Sequence, residues 1–139
     1  VDIMTGKEFD PEEYPDRGII LYGNASNNAA WDELLSECPI QVRRGSISAG
    51  NNLYEGNDLG AYFMWPREDS KVASVAVVSG TGATGMKATE ANQYFAAGSG
   101  FPDFMVFSVD MLTEGIDGIR CTGFYNNQWK IDRSNSIIK

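Results

Sequence analysis

The sequence predicts an α/β domain of three layers, in which helices cover both faces of a mostly parallel β-sheet. Two continuous apolar runs carry this prediction, "GIILY" (18–22) and "VASVAVVSG" (72–80). A run without polar alternation is typical of a strand that is buried on both faces. Each run ends at a glycine-containing turn, and a segment of helical periodicity follows. This order of strand, turn and helix predicts a Rossmann- or flavodoxin-like sheet.

The first third of the chain contains one amphipathic helix between two predicted strands. Residues 1–4 resemble a short strand and lead into an acidic connection that contains proline. After the turn at 23–28, one helical stripe collects the apolar residues Ala30, Trp31, Leu34 and Leu35. Pro39 ends this helix, and "IQV" (40–42) resumes as a strand.

The middle of the chain changes character and predicts a small β-hairpin insertion. The segment "SISAGNNLYEG" alternates in polarity and has Gly50-Asn51 at its turn. Beyond it, a helix is predicted over Met86–Ala97, and Gly115 closes a short helix in "VDMLTEG". The remaining predicted strands are "DLGAYFMWP", "DFMVFS" (103–108) and "GIRCTGFY" (118–125).

Length and charge restrict the classes of protein to which the chain can belong. Its 139 residues suit a single domain, 1–139, and the polar segment 130–139 predicts a flexible tail. A net charge of −8 disfavours nucleic acid as a partner. No apolar run approaches the roughly 20 residues of a membrane span. The start at Val1, directly in strand-like sequence, suggests a fragment of a longer protein.

The absence of histidine excludes the commonest catalytic arrangements from this chain. Neither a Ser-His-Asp nor a Cys-His pair can form, and the usual zinc sites lack their ligands. We therefore predict no catalytic residue, no metal site and no cofactor. Cys38 and Cys121 both lie beside apolar sequence, which favours buried free thiols over a disulfide.

The turn at 23–28 is the first candidate binding site. It follows a buried strand and precedes a helix, where free N–H groups favour an anion, and Asn24, Ser26 and Asn27 could add side-chain hydrogen bonds. The alternative is structural, because Asn27 or Asn28 would cap the helix with no ligand present. We favour the cap, since no lysine follows as in a phosphate-binding loop.

The turn at 80–85 is the second candidate site, with Gly80, Thr81 and Gly82 as its binding residues. Its sequence "GTGATG" has the glycine spacing of a dinucleotide-binding loop, but no acidic residue follows at the position that binds ribose. The structural alternative is a tight turn in which Gly82 takes a positive φ. If the sheet places both turns side by side, they share one crevice at the carboxyl ends of the strands.

Two further features favour structural interpretations. Ser99 lies between glycines, but a nucleophile elbow requires a histidine partner. Trp31, Trp65 and Trp129 could line a sugar-binding face, although packing in the core is the commoner role of tryptophan.

Several segments together resemble the C-terminal region of large secreted bacterial α/β-hydrolase-type proteins, which include prolyl-oligopeptidase-like proteins and esterases. The resemblance spans about residues 9–129. The segments that carry it are "LYGN" (21–24), "NAAW" (28–31), "PIQVRRG" (39–45), "EGNDLGAYFMWPR" (55–67) and "FPDFMVFS" (101–108).

The resemblance implies a non-catalytic accessory module that packs on, or completes, a neighbouring hydrolase domain of the same polypeptide. It also implies export to the periplasm or the cell surface and a parent serine hydrolase. The catalytic residues of such proteins lie outside the matching stretch, so none transfers to this chain. Two alternatives stay open. One is a small-molecule or nucleotide-binding Rossmann-like domain that uses the turns at 23–28 and 80–85, and the other is an autonomous carboxylate-based enzyme.

Overall fold

Two β-sheets dominate the structure, a computed structural model that describes residues 1–91 and 100–139. The larger sheet has the order β1-β6-β5-β7-β8-β9, and the smaller one has the order β2-β3-β4. The strands are β1 (Ile19–Tyr22), β2 (Ile40–Arg43), β3 (Ser46–Ala49), β4 (Asn52–Glu55), β5 (Leu59–Pro66), β6 (Ser74–Gly80), β7 (Phe104–Ser108), β8 (Ile119–Gly123) and β9 (Ser136–Ile138). The described α-helices are α1 (Trp31–Leu35), α2 (Ala83–Ala88) and α3 (Met111–Glu114), and 3-10 turns span Pro11–Glu13, Thr89–Ala91 and Gly115–Gly118.

The predicted fold class is wrong, because the structure is mostly β and its larger sheet is mixed rather than mostly parallel. Among the described strands, only β1 and β6 pair in parallel, and the other neighbours in both sheets pair antiparallel. The segment 67–73 joins β5 to β6 directly, and a connection this short returns the chain antiparallel.

Strand β5 explains why the order of strand, helix and strand was misleading. Both β6 and β7 run antiparallel to β5, so they run parallel to one another as the sequence pattern predicts. They are not neighbours, however, because β5 lies between them. The sequence pattern of strand, helix and strand predicts that the two strands run in the same direction. It does not show whether another strand lies between them in the sheet.

The face that a layer of helices was expected to cover packs instead against the smaller sheet. Trp31 and Leu35 of α1 join Ile47 of β3 in one core with Val77 of β6 and Phe63 of β5, and all five are buried. The predicted hairpin is present as β3 and β4, but β2 extends it to three strands. This sheet is therefore a layer of the fold and not an insertion.

Helix α2 lies on the opposite face of the larger sheet, over a smaller core. Tyr62, Val78, Ala88 and Phe107 are its buried members. The Tyr62 hydroxyl donates a hydrogen bond to the Thr89 carbonyl over 2.7 Å, which ties the end of the helical segment to β5. The predicted helix over Met86–Ala97 overlaps α2, and its part at 92–99 lies outside the described residues.

The two ends of the chain differ from the sequence prediction. Residues 1–4 form no strand. At the other end, where a tail is predicted over 130–139, β9 pairs with β8 and places Ile137 opposite Thr122. Among the described residues, no helix is long and apolar enough to cross a membrane.

A buried arginine anchors the N-terminal segment to the end of β5. Arg67 is 1% exposed. Its Nη1 donates to the carbonyls of Tyr14 and Arg17 over 2.7 and 2.8 Å, and its Nε donates to an Asp69 carboxylate oxygen over 2.8 Å. The hydrogen bonds from Arg67 lower the pKa of Asp69. A charge at this depth is tolerated because its donors are shared among several acceptors.

We predict that Arg67→Ala lowers the free energy of unfolding by about 2 kcal/mol or more, because it leaves carbonyls of the N-terminal segment without donors. Arg17→Ala is the control, since the Arg17–Asp2 ion pair is exposed and its loss should cost under about 1 kcal/mol. Denaturant unfolding of both variants measures the difference. Equal losses in the two variants would contradict the anchoring role of Arg67.

Candidate functional site

The parallel pairing of β1 with β6 places the two candidate turns side by side. Tyr22, the last residue of β1, lies opposite Val78, two residues before β6 ends at Gly80. The N–H of Gly23 donates to the Val78 carbonyl over 3.2 Å, and the Ser79 hydroxyl donates to the Gly23 carbonyl over 2.6 Å. The condition for a shared crevice at the carboxyl ends of these strands is therefore met.

The buried side chain of Asn24 connects the two turns. It is 5% exposed, and its Nδ2 donates to the Gly80 carbonyl over 2.9 Å. Its Oδ1 accepts from the N–H of Ser26 over 2.9 Å. Both ends of this side chain are thus used inside the protein, which makes Asn24 a bridge between the turns.

The other asparagines of the first turn shape the entry to the helix. Asn27 Oδ1 accepts from the N–H of Asn24 over 2.8 Å, and Asn28 Oδ1 accepts from the N–H of Ala30 over 3.0 Å. Regular helix α1 begins at Trp31, and Ala30 before it is already in helical conformation and makes no side-chain cap. Asn28 therefore makes the hydrogen bond to the N–H two residues on that a cap makes, at the turn that leads into α1, whereas Asn27 bonds backwards to Asn24 and is not a cap.

The turn between β2 and β3 lies against both of these turns and forms a third wall of the same site. The N–H of Arg44 donates to Ser26 Oγ over 3.1 Å, and the N–H of Gly45 donates to the Thr81 carbonyl over 3.0 Å. The exposed Ser26 links the first turn to this third turn through its hydroxyl oxygen. Thr81 links the second turn to the third through its backbone carbonyl.

The second turn packs against the start of β5. Thr81 is fully buried, and its Oγ1 accepts from the N–H of Leu59 over 3.2 Å. The prediction of a positive φ at Gly82 is wrong, because its φ is −166°, which is extended backbone. A Cβ there would lie 2.7 Å from the Asn57 carbonyl oxygen, and one at Gly85 would lie 2.0 Å from the Leu59 carbonyl oxygen.

The glycines of this turn therefore serve the close approach of protein backbone to protein backbone. In a dinucleotide-binding loop, one of them would leave space for a pyrophosphate instead. Helices α1 and α2 have five and six residues, so their dipoles offer little attraction to an anion. Neither the glycines nor the helix ends of this site account for ligand binding.

The three turns enclose an open cleft of about 870 Å³, which we call the three-turn cleft. Its volume lies in the range of small-molecule sites. The lining residues are Tyr22, Gly23, Asn24, Asn27, Arg44, Asn57, Gly80, Thr81, Gly82, Ala83 and Met86.

Five of the six residues predicted for binding line this cleft: Asn24, Asn27, Gly80, Thr81 and Gly82. Ser26 is not among the described lining residues, and its Oγ accepts a hydrogen bond from the N–H of Arg44. Sequence reasoning missed Arg44 and Asn57 as lining residues. No local signal identifies them, because each belongs to the cleft only through the packing of a distant segment against the two turns.

The cysteines supply no nucleophile to this or any other site. Cys38 and Cys121 are free and buried, as predicted. Burial raises the pKa of the Cys38 thiol to about 12 and that of the Cys121 thiol to about 11, so both stay protonated at neutral pH. In the described part of the chain, no group of three or more His, Cys, Asp or Glu residues could hold a metal ion. Ser99 lies outside the described residues.

The tryptophans do not form a common sugar-binding face. Trp31 and Trp65 are buried, at 1% and 7% exposure. Trp129 is half exposed, and its ring packs edge-on against Trp65 with 5.5 Å between centroids. Packing in the core is thus the role of the first two rings, and Trp129 covers the edge of that core.

Comparisons of this chain with family models, with curated protein sequences and with solved structures give no match.

We predict that Gly85→Ala and Gly82→Ala both destabilise the fold without any ligand, by about 1–3 kcal/mol, because the new methyl group would displace backbone. Gly85→Ala should cost more, since its Cβ has the closer neighbour. Gly18→Ala is the matched control, because its Cβ would meet nothing nearer than 3.8 Å. Denaturant unfolding measures all three, and wild-type stability of Gly85→Ala would contradict the packing explanation.

Proposed function

We propose that this chain is a non-catalytic accessory domain of an exported α/β-hydrolase-type protein, located in the periplasm or at the cell surface. In this proposal it packs against the hydrolase region of the same polypeptide and supplies a surface rather than chemistry. The parent protein is then a serine hydrolase, an esterase or peptidase, whose Ser, His and Asp lie outside residues 1–139.

A groove along the free edge of β1 carries the proposal. Within the described residues, β1 pairs with β6 and with no strand on its other side. A groove of about 640 Å³ runs between this edge and the N-terminal segment; we call it the β1 groove. Apolar residues that line it include Ile3, Met4, Phe9, Ile20 and Leu34.

The exposure of this groove favours a covering partner. Ile3 and Ile20 are 94% and 60% exposed. An open strand edge beside exposed apolar side chains is a site where another chain segment adds contacts. A hydrolase region on the same polypeptide would be present at high effective concentration, so a modest apolar contact is enough to hold it there.

The lack of reactive groups supports an accessory role over an autonomous enzyme. The sequence has no histidine, and both thiols are buried and protonated. General base chemistry would fall to carboxylates, Lys or Tyr. Separately, the described residues gather no group of three or more His, Cys, Asp or Glu that could hold a metal ion. At the β1 groove the described surface offers a partner apolar area.

The test is to mix this chain with the separately expressed hydrolase region of its polypeptide and to measure binding by calorimetry. Ile20→Lys places a charge in the β1 groove and should abolish binding. Leu53→Lys is the control, because Leu53 is equally exposed, at 63%, but lies on β4 away from the groove. Circular dichroism confirms that both variants fold.

Three results would contradict the proposal. One is the lack of any hydrolase region in the polypeptide, and another is equal loss of binding in both variants. The third is turnover of aryl esters or proline-containing peptides by the isolated chain, since an accessory domain has no such activity of its own.

A further inference from the structure

Arg44 is the one charged residue among the described residues that line the three-turn cleft. In the described part of the chain, its guanidinium forms no ion pair, hydrogen bond or ring contact. The chain has 19 acidic residues against 11 basic ones, yet none of the described residues that line the cleft is acidic. The exposed guanidinium of Arg44 therefore faces the cleft region without a carboxylate of the lining to compete with an anionic ligand.

The backbone holds Arg44 in place before any ligand arrives. Its own N–H donates to Ser26 Oγ, and the N–H of the next residue, Gly45, donates to the Thr81 carbonyl. Gly45 has a φ of +81°, which closes the tight turn between β2 and β3. These bonds tie Arg44 to both other walls of the cleft, so little backbone ordering is left to oppose binding.

Two amides line the same cleft as Arg44. Asn27 is exposed, and its Oδ1 is already bound to the N–H of Asn24, which leaves Nδ2 free to donate. Asn57 is exposed on the same lining, and no hydrogen bond within the described residues occupies its side chain. The cleft thus presents a planar fork of N–H donors together with amide donors.

We propose that the three-turn cleft binds a small molecule through a carboxylate or phosphate group, which Arg44 receives with paired N–H donors. A guanidinium matches two oxygens of such a group at once, and charge-assisted bonds of this kind are stronger than neutral ones. The cleft has room for the body of a ligand beyond its anionic group, against Met86. This inference does not depend on the hydrolase relationship.

The test is a nuclear magnetic resonance titration of the ¹⁵N-labelled full chain with inorganic phosphate and, separately, with acetate. Sodium chloride keeps the ionic strength constant. We expect saturable shifts of the Arg44 Nε–H and Asn27 side-chain signals, and the anion that binds more tightly identifies the group. Arg44→Ala should weaken binding about tenfold or more, because it removes a charged pair of donors.

Arg43→Ala is the matched control, because Arg43 is the exposed neighbouring arginine and does not line the cleft. Its affinity for either anion should equal that of the wild type. Equal losses in both variants would show attraction to positive charge in general and overturn the proposal. Unchanged affinity in Arg44→Ala, or no saturable shift with either anion, would overturn it as well. Thermal unfolding of both variants checks that the fold is retained.

Discussion

The parallel pairing of β1 with β6 is the constraint on which the candidate site depends. It brings together two turns that lie more than fifty residues apart in the chain, and the β2–β3 turn then closes the third side. Main-chain donors at Gly23 and Gly45 link these walls. A cleft made in this way has its shape before a ligand is present, since most of the polar groups around it already have partners.

Some polar groups of the site hold the segments of the protein together, and others are left to bind a ligand. Asn24 and Thr81 have the residue types of ligand-binding positions, but their side chains bond to Gly80 and Leu59 instead. The donors left over belong to residues with exposed side chains, above all Arg44. Asparagines and glycines at the end of a strand therefore mark a place where segments pack together. The residue that can bind a ligand, Arg44, comes from another segment.

The sequence predicted the strands well and their arrangement poorly. Apolar runs located β1, β5 and β6 to within a few residues. The expected burial on both faces holds for β5 and β6, but it is wrong for β1, an edge strand of the described sheet on which Ile20 and Tyr22 are exposed. The order of the strands depends on contacts between distant segments, and nothing near β5 indicates that it lies between β6 and β7. The length of α1 was overestimated as well, because the sequence predicts that the helix continues to Pro39, whereas α1 spans the five residues Trp31–Leu35. The place of the cleft was predictable, but Arg44 was not.

Native-state hydrogen exchange tests most directly whether the three turns form one unit with the sheet. The backbone amides of Gly23, Ala25 and Gly45 donate between segments, to the carbonyls of Val78, Val42 and Thr81. If the turns are built into the fold, these three amides exchange with nearly the same opening free energy as the Val77 amide in β6. Exchange as fast as that of an exposed amide without a hydrogen bond would show that the cleft is not held together by the sheet and would contradict the account.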